Sequence, residues 1–196
     1  MTPKSGSGNR VSLNLSLGEF NRLRLATFAQ VYIYAGQPQS VAIEIDDNLV
    51  DLISAEVVDG TLLIDKHEEY SSNEGLVAKV SVREFDSLSI AGRANVEIFN
   101  LSSELLTINI YGKATLKAGG QVTEEIINID GVGADIDLFD TTATRGTIAV
   151  NGVGNAKVTT TESLTVSING VGRVKYKGNP GIIHERINGI GRVTPV

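Results

Sequence analysis

The chain has 196 residues, a net charge of −6 and no cysteine. That length supports one sizeable domain with a real core; the acidic balance argues against a nucleic-acid partner, whose phosphates need a basic face. The missing cysteines exclude disulfides, thiolate nucleophiles and thiolate metal sites, and no apolar run approaches the ~20 residues that span a bilayer.

In chain order, Met1 to Asn9 reads as a flexible polar leader, and its residues MTPKSGSGN lack the basic and apolar regions of a secretory signal. No linker interrupts the rest of the chain, so 10–196 is expected as one β-helix domain, with irregular N-terminal coils carrying hairpin or loop insertions over 10–85 and regular coils over 86–196. The stretch LRLATFAQVYIYAG (23–36) aligns with LSIAGRANVEIFNL (88–101), placing Leu25 on Ile90, Val31 on Val96, Ile33 on Ile98 and Thr27 on Gly92. The interval between the two copies has the length of about three coils. It holds the strand-like runs SVAIEID, DGTLLID and LVAKVSV and a polar break, HEEYSSNEG, at 67–75. Asp46-Asp47-Asn48 and Asp59-Gly60 are turn residues that suggest hairpins or protruding loops.

Beyond residue 86 one phrase recurs: IAGRANVEI, IYGKATLKA, IDGVGADIDL, VNGVGNAKV, INGVGRVKY and INGIGRV. Their leading glycines are Gly92, Gly112, Gly131, Gly152, Gly170 and Gly189, in steps of 20, 19, 21, 18 and 19 residues. A period near twenty marks a solenoid, in which each repeat buries its core only by stacking on its neighbours. Registered on the glycine, the position two before it reads Ile90, Ile110, Ile129, Val150, Ile168, Ile187. The position four before it is apolar until Glu185, and the position four after it begins Val96, Leu116. Ile136 and Leu138 arrive one residue late, which predicts a one-residue insertion at Ala134-Asp135. Period-two alternation on both sides of a Gly-x-Gly corner indicates strands with one buried face. The expected fold is all-β, a right-handed parallel β-helix (solenoid) with coils of about 18–21 residues. Its corner glycines would serve positive φ and close backbone approach. An antiparallel sandwich is the alternative, but sandwiches do not repeat phrases in register.

The phrases INGVGRVKYKGNP (168–180) and INGIGRV (187–193), with SGSGN, EFNRLRLATFAQVYIYAG and VDGTLLI before them in that order, resemble the bacterial head-GIN-domain family, described as putative auto-transporter adhesins. The resemblance runs from about Gly6 to Val196. It implies an exported protein of the cell envelope or extracellular space whose signal, cleaved or lipoprotein, is already removed. It also implies adhesion, with no catalytic residues attached.

Candidate chemistry is sparse. His67 and His184 are the two histidines, and neither sits in a metal-binding pair. Asp130, Asp135, Asp137 and Asp140 cluster in sequence around one coil and offer oxygens to Ca²⁺, but not with calcium-roll spacing, so they read as a solvated acidic coil. Gly131-Val132-Gly133 enters a strand, so it lacks the helix N-terminus that holds a phosphate. Glu97, Lys117, Asp137, Lys157 and Lys175 share one outward column whose signs alternate over the first four coils, an ion-pair ladder that favours register. Asp130, Asn151, Asn169 and Asn188 form a polar column suited to hydrogen bonds between coils. Catalytic, cofactor and metal residues are accordingly expected to be none.

Between the glycines stand Arg93, Lys113, Val132, Val153, Val171 and Ile190. The leading charges suggest an outward corner, which would make Val132, Val153, Val171 and Ile190 an exposed contact stripe. β-Branched residues filling an interior corner would give the same pattern. The expected function is a non-enzymatic exported binding module with a protein or glycan ligand, or a second copy of itself, at the cell surface. The alternative is a carbohydrate-active β-helix enzyme, hydrolase or lyase, using surface carboxylates.

Overall fold

Apolar and polar residues alternate through nearly every segment, so each strand has one face to bury, and the chain buries it by winding about five turns of a β-solenoid. The computed structural model describes residues 3–196 and is 73% strand and 3% helix. In order come β1 (Lys4–Ser5), β2 (Arg10–Leu15), β3 (Arg22–Leu25), β4 (Phe28–Ala35) and β5 (Ser40–Asp46). A 3₁₀ segment, Asp47–Leu52, leads to β6 (Ile53–Val58), β7 (Thr61–Lys66), β8 (Tyr70–Ser71), β9 (Leu76–Val82) and β10 (Ser87–Ile90). The long bent strands β11 (Arg93–Ile110), β12 (Lys113–Ile129), β13 (Val132–Val150) and β14 (Val153–Ile168) come next, then β15 (Val171–Lys177), β16 (Ile182–Ile187) and β17 (Ile190–Pro195).

β11, β12, β13 and β14 pair in parallel, one on the next; β15 and β16 lie on β14, and β17 on β15. Ile110, Ile129, Val150 and Ile168 are fully buried in one stack, each contributing roughly 1.5–3 kcal/mol. Ile187 continues that stack in register but is 41% exposed. It lies on the last described rung, where no further strand among the described residues covers the interior face. Glu185, in register with buried Val166, places a charge on that same open rung, a common device against strand addition at an edge.

The base is ordered differently from the chain. Leu25 pairs with Ile90, Val31 with Val96 and Ile33 with Ile98, as the alignment predicts. The two copies, however, are adjacent rungs, not three coils apart: Arg93 N–H donates to the carbonyl of Thr27 at 3.2 Å. The intervening chain descends instead. β7 and β9 stack in parallel beneath β3 and β4, and β5 and β6 close the bottom antiparallel to β9 and β7. β2 then pairs antiparallel with β5. The β6–β7 hairpin turns at Asp59 and Gly60, with φ 48° and 71°, the conformation Asp-Gly favours.

The expected leader is tied down from Lys4 onward. β1 pairs with β8, and Ser7 donates from its backbone N–H to Asn48 Oδ1 (3.0 Å) and from its hydroxyl to Asp47 Oδ1 (2.5 Å). Met1 and Thr2 lie outside the described residues.

Close approach, not positive φ, explains the repeated corner glycines. A Cβ at Gly112 would lie 1.9 Å from the carbonyl oxygen of Gly92, and the same clash recurs at each later leading glycine, none of which has positive φ. The extra residue of the third repeat is Gly133, one position before the expected site. The register steps from Val132↔Val153 to Ala134↔Gly154, and Gly133 bulges at φ 91°.

Candidate functional site

The corner glycines bring successive backbones into contact, so the residue after each leading glycine is pushed to the rim. Val132, Val153, Val171 and Ile190 pair in register and all four are exposed, from 40% to 74%. The stripe therefore faces solvent, and the interior-corner alternative is excluded. Two residues further along, a second outward column runs Asn95, Thr115, Asp135, Asn155, Arg173, Arg192. Between the stripe and this column lies an open groove of about 400 Å³, lined by Val153, Val171, Ile190, Asn155, Arg173 and Arg192 among others.

On the other side of the stripe, side chains link the rungs. The amide of Asn151 donates to Asp130 Oδ1 at 2.8 Å, that of Asn169 to Asn151 Oδ1 at 2.9 Å, and that of Asn188 to Asn169 Oδ1 at 2.9 Å. The charge column is in register as predicted, and Lys157 Nζ lies 2.7 Å from Asp137 Oδ2. Partial burial pushes the Asp137 carboxyl up. Hydrogen bonds from Lys157 and the Phe139 N–H, with the charges of Lys157 and Lys117, outweigh it and hold the carboxyl below its usual range. The Lys157 ammonium is raised in turn by its bond to Asp137. Lys177 sits 4.1 Å above the Phe139 ring.

The remaining sequence candidates are scattered. His67 and His184 are both exposed, one near the base and one on β16. Asp130 and Asp137 serve rung-to-rung bonds, and among the described residues no three His, Asp or Glu side chains come together as a metal site. Carboxylates do line a second open groove, of about 900 Å³, with Glu84, Asp86 and Glu104. Both oxygens of Asp86 are already engaged, by Asn21 Nδ2 at 2.5 Å and Ser103 Oγ at 2.9 Å.

Two features escape the sequence columns. Glu125 is fully buried and desolvation pushes its carboxyl up to about 8, offset only by a long hydrogen bond from the Thr160 hydroxyl, 3.5 Å. Its signal was phase: it shares a column with buried Leu106 and Leu164. The arginine column was legible as the repeated Gly-Val-Gly-Arg and Gly-Ile-Gly-Arg. Glu125 lies too deep to touch a polymeric substrate.

The family profile described as "Putative auto-transporter adhesin, head GIN domain" matches residues 19–180. The chain belongs to that family. This head GIN domain is also similar to a solved putative adhesin of Bacteroides fragilis, at 22% identity and TM-score 0.72, over 98% of this chain and 99% of that one. A putative lipid binding protein of Parabacteroides distasonis matches at 19% identity and TM-score 0.60 over the whole of both chains. A putative adhesin of Parabacteroides merdae matches at 19% and 0.59, over 98% of each. At these identities the likeness is one of fold. No protein of curated function matches the domain.

Proposed function

We infer that this head GIN domain is an exported, non-enzymatic binding module of the cell envelope that meets its ligand through the face carrying Val132, Val153, Val171 and Ile190. One observation carries the reading: four aliphatic side chains stand outward on successive rungs beside a shallow groove. Contiguous exposed apolar surface marks contact sites, because leaving it in water is unfavourable. The family and its putative-adhesin neighbours support adhesion as the role. The alternative of a carbohydrate-active enzyme needs converging acid and base groups of perturbed pKa at a reachable site. The carboxyl pushed to about 8 is sealed in the core instead.

The test is a binding screen against immobilised glycans and matrix proteins, with wild type beside Val153→Ser/Val171→Ser. That pair removes apolar surface without changing charge. Ligand capture lost in the variant, with an unchanged circular dichroism spectrum, is expected. Capture that survives the double change, or turnover of a polysaccharide by the pure domain, refutes the reading.

A further inference from the structure

Charge is divided unevenly along the solenoid. Residues 150–196 carry six Lys and Arg against two acids, whereas 1–149 carry eleven against twenty-one. The middle rungs alternate sign, Glu97 on Lys117 and Asp137 on Lys157. The last rungs do not. Lys157 is followed in its column by Lys175, and Arg173 stacks on Arg192. Neighbouring rungs lie about 4.8 Å apart, and like charges directly opposite each other at that spacing repel. Among the described residues no carboxylate pairs with Arg173, Lys175 or Arg192. The last coils of an acidic chain thus carry a cluster of uncompensated cations, which an external anion would bridge.

What lies beside those cations narrows the anion's carrier. The aliphatic stripe runs next to the arginine column, and the asparagine ladder borders its other side. In Asn151 and Asn188 one amide hydrogen is committed to the rung below, leaving the second to donate outward, whereas the amide of Asn169 also donates to Ser167 Oγ at 3.3 Å. Apolar surface, amide donors and guanidinium groups side by side match the C–H faces, hydroxyls and anionic groups of an acidic sugar chain. Arg173 and Arg192 stack along the solenoid axis and Lys175 stands two residues along the strand from Arg173, so a linear polymer laid lengthwise over the arginines also passes the lysine. Membrane-surface segments instead set Trp, Phe or Leu against their Lys and Arg, and the stripe has only Val and Ile.

We propose that the face of the last coils, with Arg173, Arg192 and Lys175 beside Val153, Val171 and Ile190, binds an acidic polysaccharide whose carboxylate or sulfate groups bridge the stacked arginines. The proposal rests on the reading of this face as the binding face and names its ligand class. The −10 balance of the rest of the chain, eleven bases against twenty-one acids, repels the same polymer and so confines it to this end.

The experiment measures binding of the full chain to polygalacturonate, heparin, neutral dextran and phosphatidylglycerol vesicles at two salt concentrations. Polygalacturonate or heparin is expected to bind, more weakly at high salt, and dextran not to bind. Arg173→Gln/Arg192→Gln should weaken that binding roughly tenfold, and Arg83→Gln, an exposed residue beyond β9, should leave it unchanged. Arg173→Lys/Arg192→Lys should retain part of the affinity, since charge is kept and only the bidentate fork is lost. Binding to neither acidic polymer, equal binding of dextran, indifference to the arginines, or binding confined to vesicles overturns the proposal. If Val153→Ser/Val171→Ser abolishes capture in the glycan and protein screen while the arginine variants do not, the face reading stands and the acidic-polysaccharide assignment falls.

Discussion

Glu125 and Gly146 are register partners on adjacent rungs, and the glutamate fills interior space that the glycine leaves open: a Cβ at 146 would lie 3.1 Å from Glu125 Oε1. Oε2 makes no hydrogen bond among the described residues, so the carboxyl keeps its proton, with a pKa of about 8 against an ordinary 4.5. The unfolded chain ionises this group from about pH 4.5, whereas the folded chain holds the proton to about pH 8. The Glu125 contribution is therefore fully present below pH 4.5 and falls as pH rises toward 8, by about 1.4 kcal/mol per pH unit. Urea denaturation between pH 5 and 8 should show wild-type stability declining relative to Glu125→Gln, with the difference levelling above pH 8. Parallel profiles would refute it.

Replacing the same residue with an apolar one should stabilise the fold. Glu125→Met removes the ionisation penalty and leaves a flexible side chain to fill the gap over Gly146. A gain of about 1–3 kcal/mol at pH 7 is expected, on the order of the penalty itself. Thermal melting checks it, and a lower melting temperature would contradict it.

Backbone contact at the corners makes Gly152 intolerant. A Cβ there would meet the carbonyl oxygen of Gly131 at 2.0 Å, an atom that cannot swing aside. Gly152→Ala should cost about 3 kcal/mol or more by prising rungs apart. Gly119→Ala, where the nearest atom is 3.6 Å away, should change stability by about 0.5 kcal/mol or less. Chemical denaturation of both variants makes the comparison, and equal effects would show that rung spacing is not set by the corner.

Position along the axis should separate two isoleucines of one column. Ile168→Asp buries a charge with no partner and should prevent folding. Ile187→Asp, on the open last rung, lets the carboxylate reach water and should leave a folded protein. Circular dichroism and soluble yield distinguish them.

The outward stripe predicts tolerance. Val153→Lys/Val171→Lys should leave stability within about 0.5 kcal/mol, because both side chains already stand in water. Any self-association seen in sedimentation of the wild type should weaken in this variant. Loss of the fold would mean that these valines are core.

Local periodicity determined a great deal on its own. Alternation with period two sets which side of each strand is apolar, and a twenty-residue repeat stacks like positions, so the parallel solenoid, the Ile110–Ile168 stack, the asparagine ladder and the register of Leu25 on Ile90 were all legible. The placement of Gly133 as a bulge was legible to within one residue, because a one-residue slip shows in the columns but its exact site depends on which peptide takes positive φ. Other features belong to the tertiary structure. Alternation loses its phase at a corner, so only the packed rungs decide that Val132, Val153, Val171 and Ile190 point out. The antiparallel base follows no repeat, and nothing in its length reveals that β7 and β9 slip beneath β3 and β4 and leave Thr27 against Gly92. Burial, finally, is a property of neighbours: Ile187 is in phase with Ile168 and Glu125 in phase with Leu106, yet the isoleucine meets water because no rung among the described residues lies above it, and the glutamate is buried because rungs lie on both sides.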